Sequence, residues 1–182
     1  MICALRIVQV VGKHVPGVSA YTATGSTLSV ASGRISYTFG LCGSALTVDT
    51  ACSSSLTSMH MAYNSLLLGQ CSKAVNTGVN VMLSIETPAA FGKSGMLAAD
   101  GRCKTLDAAA DGYVRAEAAG GMVLETMPAL ALLERPALGV VDGSAINQDG
   151  RSSSLTAPNG PAQQDVIRTA LAAAGGCGLA VW

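Results

Sequence analysis

Cys52 is the residue best placed in this sequence for covalent chemistry. It stands in the run Thr47-Val48-Asp49-Thr50-Ala51-Cys52-Ser53-Ser54-Ser55-Leu56, where an apolar, β-branched approach (Leu46, Thr47, Val48) meets a series of small residues. Beyond them, Leu56, Met59, Tyr63, Leu66 and Leu67 recur with the spacing of one helical face. The pattern predicts a strand, a sharp turn and a helix, with the thiol at the turn. A helix start carries unpartnered backbone N–H groups and the positive end of the macrodipole, and both favour a thiolate. Small neighbours leave room for a carbonyl to approach, and an N–H at the turn can meet the oxyanion formed on attack. Two readings of Cys52 stand at this stage: an activated nucleophile, or a small buried hydrophobe followed by N-capping serines.

The elements that must hold this turn are legible in outline. The helix after Cys52 is expected to end near Leu68, with Gly69 supplying a left-handed C′ residue. His60 falls on that helix, but eight residues from Cys52 is about 12 Å along the axis, too far for a Cys/His dyad. His60 is therefore read as a packed or hydrogen-bonded helix residue. Upstream, Tyr21 to Ser32 is hydroxyl-rich with little periodicity, and a short helix is expected over Thr27 to Ile35. Downstream, Lys73 to Ser84 reads as a buried strand in which Gly78 permits a close approach, ended by Glu86-Thr87-Pro88. A short helix over Ala89 to Met96, strands at Gly120 to Glu125 and Leu138 to Asp142, a connection over Pro128 to Pro136 and a helix from Gly160 to Ala174 complete the outline. The charges Asp100, Arg102, Lys104, Asp107 and Asp111 read as a solvated, salt-bridged loop.

Composition narrows the function classes. The 182 residues, 49% hydrophobic and 12% charged with a formal net charge of zero, describe one domain or part of one that buries much of its surface. No basic footprint for nucleic acid and no apolar run long enough to span a bilayer is present in the sequence. Cys3, Cys42, Cys52, Cys71, Cys103 and Cys177 form no CxxC pair and no Cys/His ligand cluster, which argues against zinc and against a disulfide framework. Cys42 reads as an inert thiol in a turn, and Cys103 has basic neighbours. A reducing, intracellular compartment is expected, the cytoplasm first, with an organelle left open. Met1 to Val11 reads as a strand or a helix remnant, and His14 as a solvated turn residue.

The run Val48 to Leu56, VDTACSSSL, resembles the active-site motif of the β-ketoacyl synthases, the condensing enzymes of polyketide and fatty acid synthesis. Gly33 to Leu41 (GRISYTFGL) resembles that family's lead-in, and Asp100 to Arg115 (DGRCKTLDAAADGYVR) its central loop. Gly143 to Gly150 (GSAINQDG), followed by Leu155 to Pro161 (LTAPNGP), is similar to a segment of multifunctional polyketide synthases. These stretches occur in the family's order between about Gly17 and Gly175, so residues 1–16 are read as an extension, 17–175 as a partial ketosynthase domain and 176–182 as an unmatched tail.

The resemblance implies a thiolase-like layered α/β/α fold, incomplete here, with the opening strands and most of the C-terminal half missing. It implies that Cys52 attacks an acyl thioester to give an acyl-enzyme. Two histidines elsewhere in the family assist decarboxylation of a malonyl unit on acyl carrier protein, and the carbanion attacks the acyl group. Those histidines have no counterpart in the 182 residues, so the chain alone is expected to be inactive in condensation. The resemblance implies no metal and no directly bound cofactor, substrates carried on the phosphopantetheine of acyl carrier protein, and a homodimer. The alternatives are a catalytically inactive structural or dimerisation module and a cysteine hydrolase. One departure stands out: where the family tends to have Gly-Glu-Gly, this chain has Ala116-Glu117-Ala118, which costs about 1 kcal/mol or more if the geometry demands glycine.

Overall fold

A computed structural model describes Gly17 and residues 19–126, 137–175 and 179–181. In chain order the elements are helices α1 (Thr22–Ser26) and α2 (Leu28–Phe39), a 3₁₀ turn (Ala51–Ser53) continuing into α3 (Ser54–Leu67), strand β1 (Lys73–Asn80), α4 (Glu86–Lys93), β2 (Ala118–Thr126), β3 (Gly139–Val141), α5 (Gly160–Ala173) and β4 (Leu179–Val181). Met1 to Val11, His14, Cys3, Cys177 and the whole Pro128 to Pro136 connection lie outside the described residues.

Local chemistry sets the ends of the helices. Gly69, at φ +66°, closes α3 as expected, with Gln70 N donating to Ser65 O at 2.9 Å and Gly69 N to Leu66 O at 3.1 Å. Gly40 performs the same task for α2 at φ +64°. The start of α5 is capped by Asn159, whose Oδ1 accepts from Ala162 N at 3.3 Å, with proline in the first turn.

The four strands form one antiparallel sheet in the order β1-β2-β4-β3. The longest ladder joins β1 to β2 over eight pairs from Lys73↔Glu125 to Asn80↔Ala118. Helix α3 packs on it, and Ala62, Tyr63, Leu66, Ala74 and Leu124 make the core. Burying Leu124 completely removes a side chain worth about 1.5–3 kcal/mol from water.

Four expectations need correction. Residues 44–50 join no ladder among the described residues; Thr47 instead donates through Oγ1 to Leu28 O at 2.8 Å and Ser32 Oγ at 3.0 Å, which ties the approach to α2. A strand needs a pairing partner as well as β-branched residues. The buried face of α3 is the expected stripe only in part: Tyr63 and Leu66 are buried and Met59 packs against the core, but Leu56 and Leu67 are exposed, and Ser54, Ser58 and Ala62 share the buried face. Small residues let the helix approach the sheet closely, and the buried hydroxyl of Ser58 is satisfied by the Asn76 amide oxygen and Ser55 O. Finally, the hydroxyl-rich segment before Gly40 is mostly helical. β1 also stops at Asn80 rather than Ser84, because Met82 N donates to the Glu117 carboxylate at 2.5 Å instead of continuing the ladder.

The alanines at 116 and 118 are tolerated. Both are exposed, and neither adopts a positive φ. Glycine at these positions would meet no special demand.

Glu125 is 2% exposed, and its Oε1 lies 3.2 Å from Lys73 Nζ across the first pair of the ladder, while Oε2 has no partner among the described residues. Lys73→Met leaves a buried carboxylate without its cation, so a loss of about 1–3 kcal/mol is expected, reduced from the fully buried case because the lysine is half exposed. Urea unfolding measures it. A change below about 0.5 kcal/mol would show that the pair does not hold the ladder.

Candidate functional site

The turn that presents Cys52 is built by its neighbours' side chains. Asp49 Oδ1 accepts from Ala51 N at 2.9 Å, and Ser54 Oγ accepts from Thr50 N at 2.9 Å while donating to Ala51 O at 2.7 Å. Ser53 Oγ donates to Thr50 O at 2.9 Å. These bonds hold Ala51 at φ +57°, a left-handed conformation that is unfavourable by about 1–2 kcal/mol for a residue with a Cβ. The serines therefore fasten the turn, and none caps the helix through its side chain.

Cys52 is exposed on the 3₁₀ turn that leads into α3, as the sharp-turn expectation required. It lines a cleft of about 430 Å³, with Ser54 and Ser55 on its own side. The floor opposite is one face of the β1–β2 ladder, in the register pairs Asn76↔Met122, Gly78↔Gly120 and Asn80↔Ala118. The close approach expected at Gly78 is present, since a Cβ there would collide with Ser55 Oγ. The amide of Asn76 is engaged by Ser58 and Ser55. The floor residues were not legible from the sequence. Their signal is the Gly120-Gly121 doublet inside a strand, which marks a place where something approaches the backbone.

The other candidates lie elsewhere. His60 is hydrogen-bonded on both ring nitrogens, Nδ1 to Ser144 Oγ at 3.1 Å and Nε2 to Asn64 Nδ2 at 2.9 Å, in agreement with its reading as a helix residue. Cys42, Cys71 and Cys103 are free thiols, and Cys103 Sγ accepts from Val114 N at 3.2 Å. Among the described residues no group of His, Cys, Asp and Glu is arranged to hold a metal ion, and no helix is long and apolar enough to cross a membrane.

In the charged loop, Lys104 Nζ lies 2.9 Å from Asp100 and 2.5 Å from Asp111. The bond from Lys104 holds the Asp100 carboxyl below the usual carboxylate range, and the bonds to Asp111 and Asp100 hold Lys104 above its ordinary value. Arg102 and Asp107 contribute turn contacts: Arg102 N donates to Asp100 Oδ1 at 3.2 Å, and Asp107 Oδ1 accepts from Ala109 N at 2.8 Å.

Comparison with known proteins decides the family. The model for the β-ketoacyl synthase N-terminal domain matches residues 8–129, and the model for the C-terminal domain matches residues 138–178. The chain belongs to the β-ketoacyl synthase family. Among its relatives is erythronolide synthase EryA3 of Saccharopolyspora erythraea, 54% identical over 158 residues, covering 87% of this chain and 5% of that protein. Another is the phenolphthiocerol synthesis polyketide synthase Pks15/1 of Mycobacterium bovis, 53% identical over 159 residues, covering 87% of this chain and 8% of that protein. The chain thus spans less than a tenth of the length of these relatives.

Two solved ketosynthases share the fold. The ketosynthase from module 6 of the bacillaene synthase of Bacillus subtilis 168 superposes with a TM-score of 0.81 at 32% identity, covering 95% of this chain and 30% of that one. The oxazolomycin ketosynthase domain OzmH KS7 of Streptomyces albus JA3453 superposes with a TM-score of 0.80 at 37% identity, covering 82% of this chain and 26% of that one. The fold is the thiolase-like layered α/β fold of the ketosynthases, of which this chain carries part.

Proposed function

We propose that this β-ketoacyl synthase chain is the acyl-accepting part of a polyketide-type ketosynthase, with Cys52 as its nucleophile. The observation that carries the reading is the exposed thiol, on a strained turn at a helix start, opening into a cleft between α3 and the β1–β2 ladder. Cys52 Sγ attacks the carbonyl of an acyl thioester, the turn's backbone N–H groups meet the oxyanion, and the carrier thiol leaves with the proton. Decarboxylative Claisen condensation with a malonyl-type unit follows.

The acyl and malonyl units are carried on the phosphopantetheine of acyl carrier protein, the protein partner of the reaction. The protein itself binds no metal or cofactor, and two copies form the working dimer. His60 takes no part in the chemistry, since both ring nitrogens are engaged away from Cys52.

Product analysis tests the reaction type. With an acyl thioester and malonyl acyl carrier protein, a polypeptide of this family that includes this chain and the catalytic histidines is expected to release a 3-oxoacyl thioester. Free acid as the sole product would instead support the hydrolase alternative. A polypeptide that takes no acyl group at all would support the structural or dimerisation module, a reading that draws on Tyr37 and Phe39, 90% and 72% exposed on α2.

A further inference from the structure

The hydrogen bonds before Cys52 hold three peptide groups in succession. Asp49–Thr50 is held through Thr50 N, which donates to Ser54 Oγ at 2.9 Å, and Thr50–Ala51 through Ala51 N, which donates to Asp49 Oδ1 at 2.9 Å. The third, Ala51–Cys52, is held at its oxygen, where Ala51 O accepts from Ser54 Oγ at 2.7 Å and from Ser54 N. Every one of these bonds lies between residues 49 and 54, so the turn itself sets the arrangement.

Ser54 acts on two of the three peptides. It is 2% exposed, and its hydroxyl accepts from Thr50 N while giving its one proton to Ala51 O. A buried serine commonly bonds back to a carbonyl one turn earlier, and that habit alone gives it no part in chemistry. What separates Ser54 is the peptide it holds. That peptide is trans, so the C=O of Ala51 and the N–H of Cys52 point in opposite directions. With Ala51 O drawn onto Ser54 inside the start of α3, the Cys52 N–H is turned the other way, out of the helix start, where Cys52 lines the cleft. The orientation requires Ala51 at φ +57°; an alanine released from these bonds leaves the left-handed region, and the Ala51–Cys52 plane rotates with it.

We infer that Ser54 is a positioning residue for acyl transfer, whose buried hydroxyl sets the Ala51–Cys52 peptide so that the Cys52 N–H meets the oxyanion. The inference rests on the reading of Cys52 as acyl acceptor. In that step the bond from Sγ to the acyl carbon forms and the carbonyl oxygen takes up negative charge. The charge returns as the carbon–sulfur bond of the incoming thioester breaks, and the Cys52 proton leaves on the released thiol. A donor aimed at that oxygen beforehand lowers the barrier, whereas one that must first reorient does not.

The test compares two reactions of the same sulfur in the full chain and in its Ser54→Ala and Asp49→Ala variants, each read by mass on the peptide carrying Cys52. Acylation by acetyl N-acetylcysteamine passes through an oxyanion, while alkylation by iodoacetamide draws on the same thiolate and forms none. In Ser54→Ala the acylation-to-alkylation ratio is expected to fall about tenfold or more, against the roughly 10²–10³ that outright loss of an oxyanion donor costs. Asp49 is exposed, so Asp49→Ala loosens the same turn without emptying a buried site, and a fall of about threefold or more is expected there. A purely structural serine predicts that both rates move together, and a ratio unchanged within about twofold in Ser54→Ala overturns the inference. Should Ser54→Ala fail to fold, an unchanged ratio in Asp49→Ala overturns it equally. If Cys52 of the unaltered chain is alkylated but never acylated, the Cys52 reading falls and this inference with it. Acylation with an unmoved ratio in the variants removes the inference alone.

Discussion

In a polypeptide of this family that includes this chain and the catalytic histidines, Cys52→Ala is expected to abolish acyl transfer, lowering 3-oxoacyl formation on the order of 10⁴-fold or more, the scale seen when a covalent nucleophile is removed. Alanine cannot form the thioester, and among the described residues no other thiol lines the cleft, Cys42, Cys71 and Cys103 lying elsewhere. The exposed thiol contributes little to the fold, so the variant should unfold within about 0.5 kcal/mol of the unaltered protein. Separate measurements of rate and of unfolding distinguish a nucleophile from a structural cysteine. Loss of activity accompanied by loss of stability would favour a structural role for Cys52, and retained activity would remove it from the mechanism.

Gly112→Ala is expected to destabilise the chain by about 3–5 kcal/mol, a large part of a typical domain's total. Gly112 sits at φ +149°, and a Cβ there would lie 2.6 Å from Leu97 C and 2.9 Å from Met96 O and would collide with Ala98 N. The backbone must open. That breaks the bridge between Leu97 and Tyr113, held by Ala98 N to Tyr113 O at 3.0 Å and Tyr113 N to Met96 O at 3.1 Å. The segment just beyond it, Val114 to Glu117, leads into β2 and the cleft floor. Gly150→Ala is the comparison: φ is +63° but a Cβ meets nothing within 4 Å among the described residues, so a loss of only about 1–2 kcal/mol is expected. Denaturant unfolding of both measures the difference. Equal, small effects would show that the Gly112 crossing relaxes freely.

What the sequence disclosed followed the range of the forces involved. The end of α3 and the start of α5 were legible because Gly69 and Pro161 act on backbone within a turn of themselves, whereas the Asn159 cap emerged only in the structure. The turn at Cys52 was legible for the same reason, since Asp49, Ser53 and Ser54 bond only to residues two to four positions away. The buried face of α3 was legible only in part, at Met59, Tyr63 and Leu66. Whether Leu56 or Ser58 turns inward depends on Asn76, eighteen residues beyond Ser58 and on another element, and the buried hydroxyl is stable only because that amide meets it.

The same reason hid the cleft floor, where Gly78 and Gly120 come together through strand pairing across forty-two positions of sequence. The β-branched approach before Asp49 failed as a strand because alternation and propensity describe a surface ready to pair, and pairing is decided elsewhere. The alanines at 116 and 118 raised a concern that only backbone angles could remove.

The most direct measurement is the location of the acyl group after the chain is mixed with an acyl N-acetylcysteamine thioester, read by peptide mass mapping. The account predicts one acyl group on the peptide carrying Cys52, absent from Cys52→Ala. An acyl group spread over Cys42, Cys71 and Cys103, or found on none of the thiols, would contradict it.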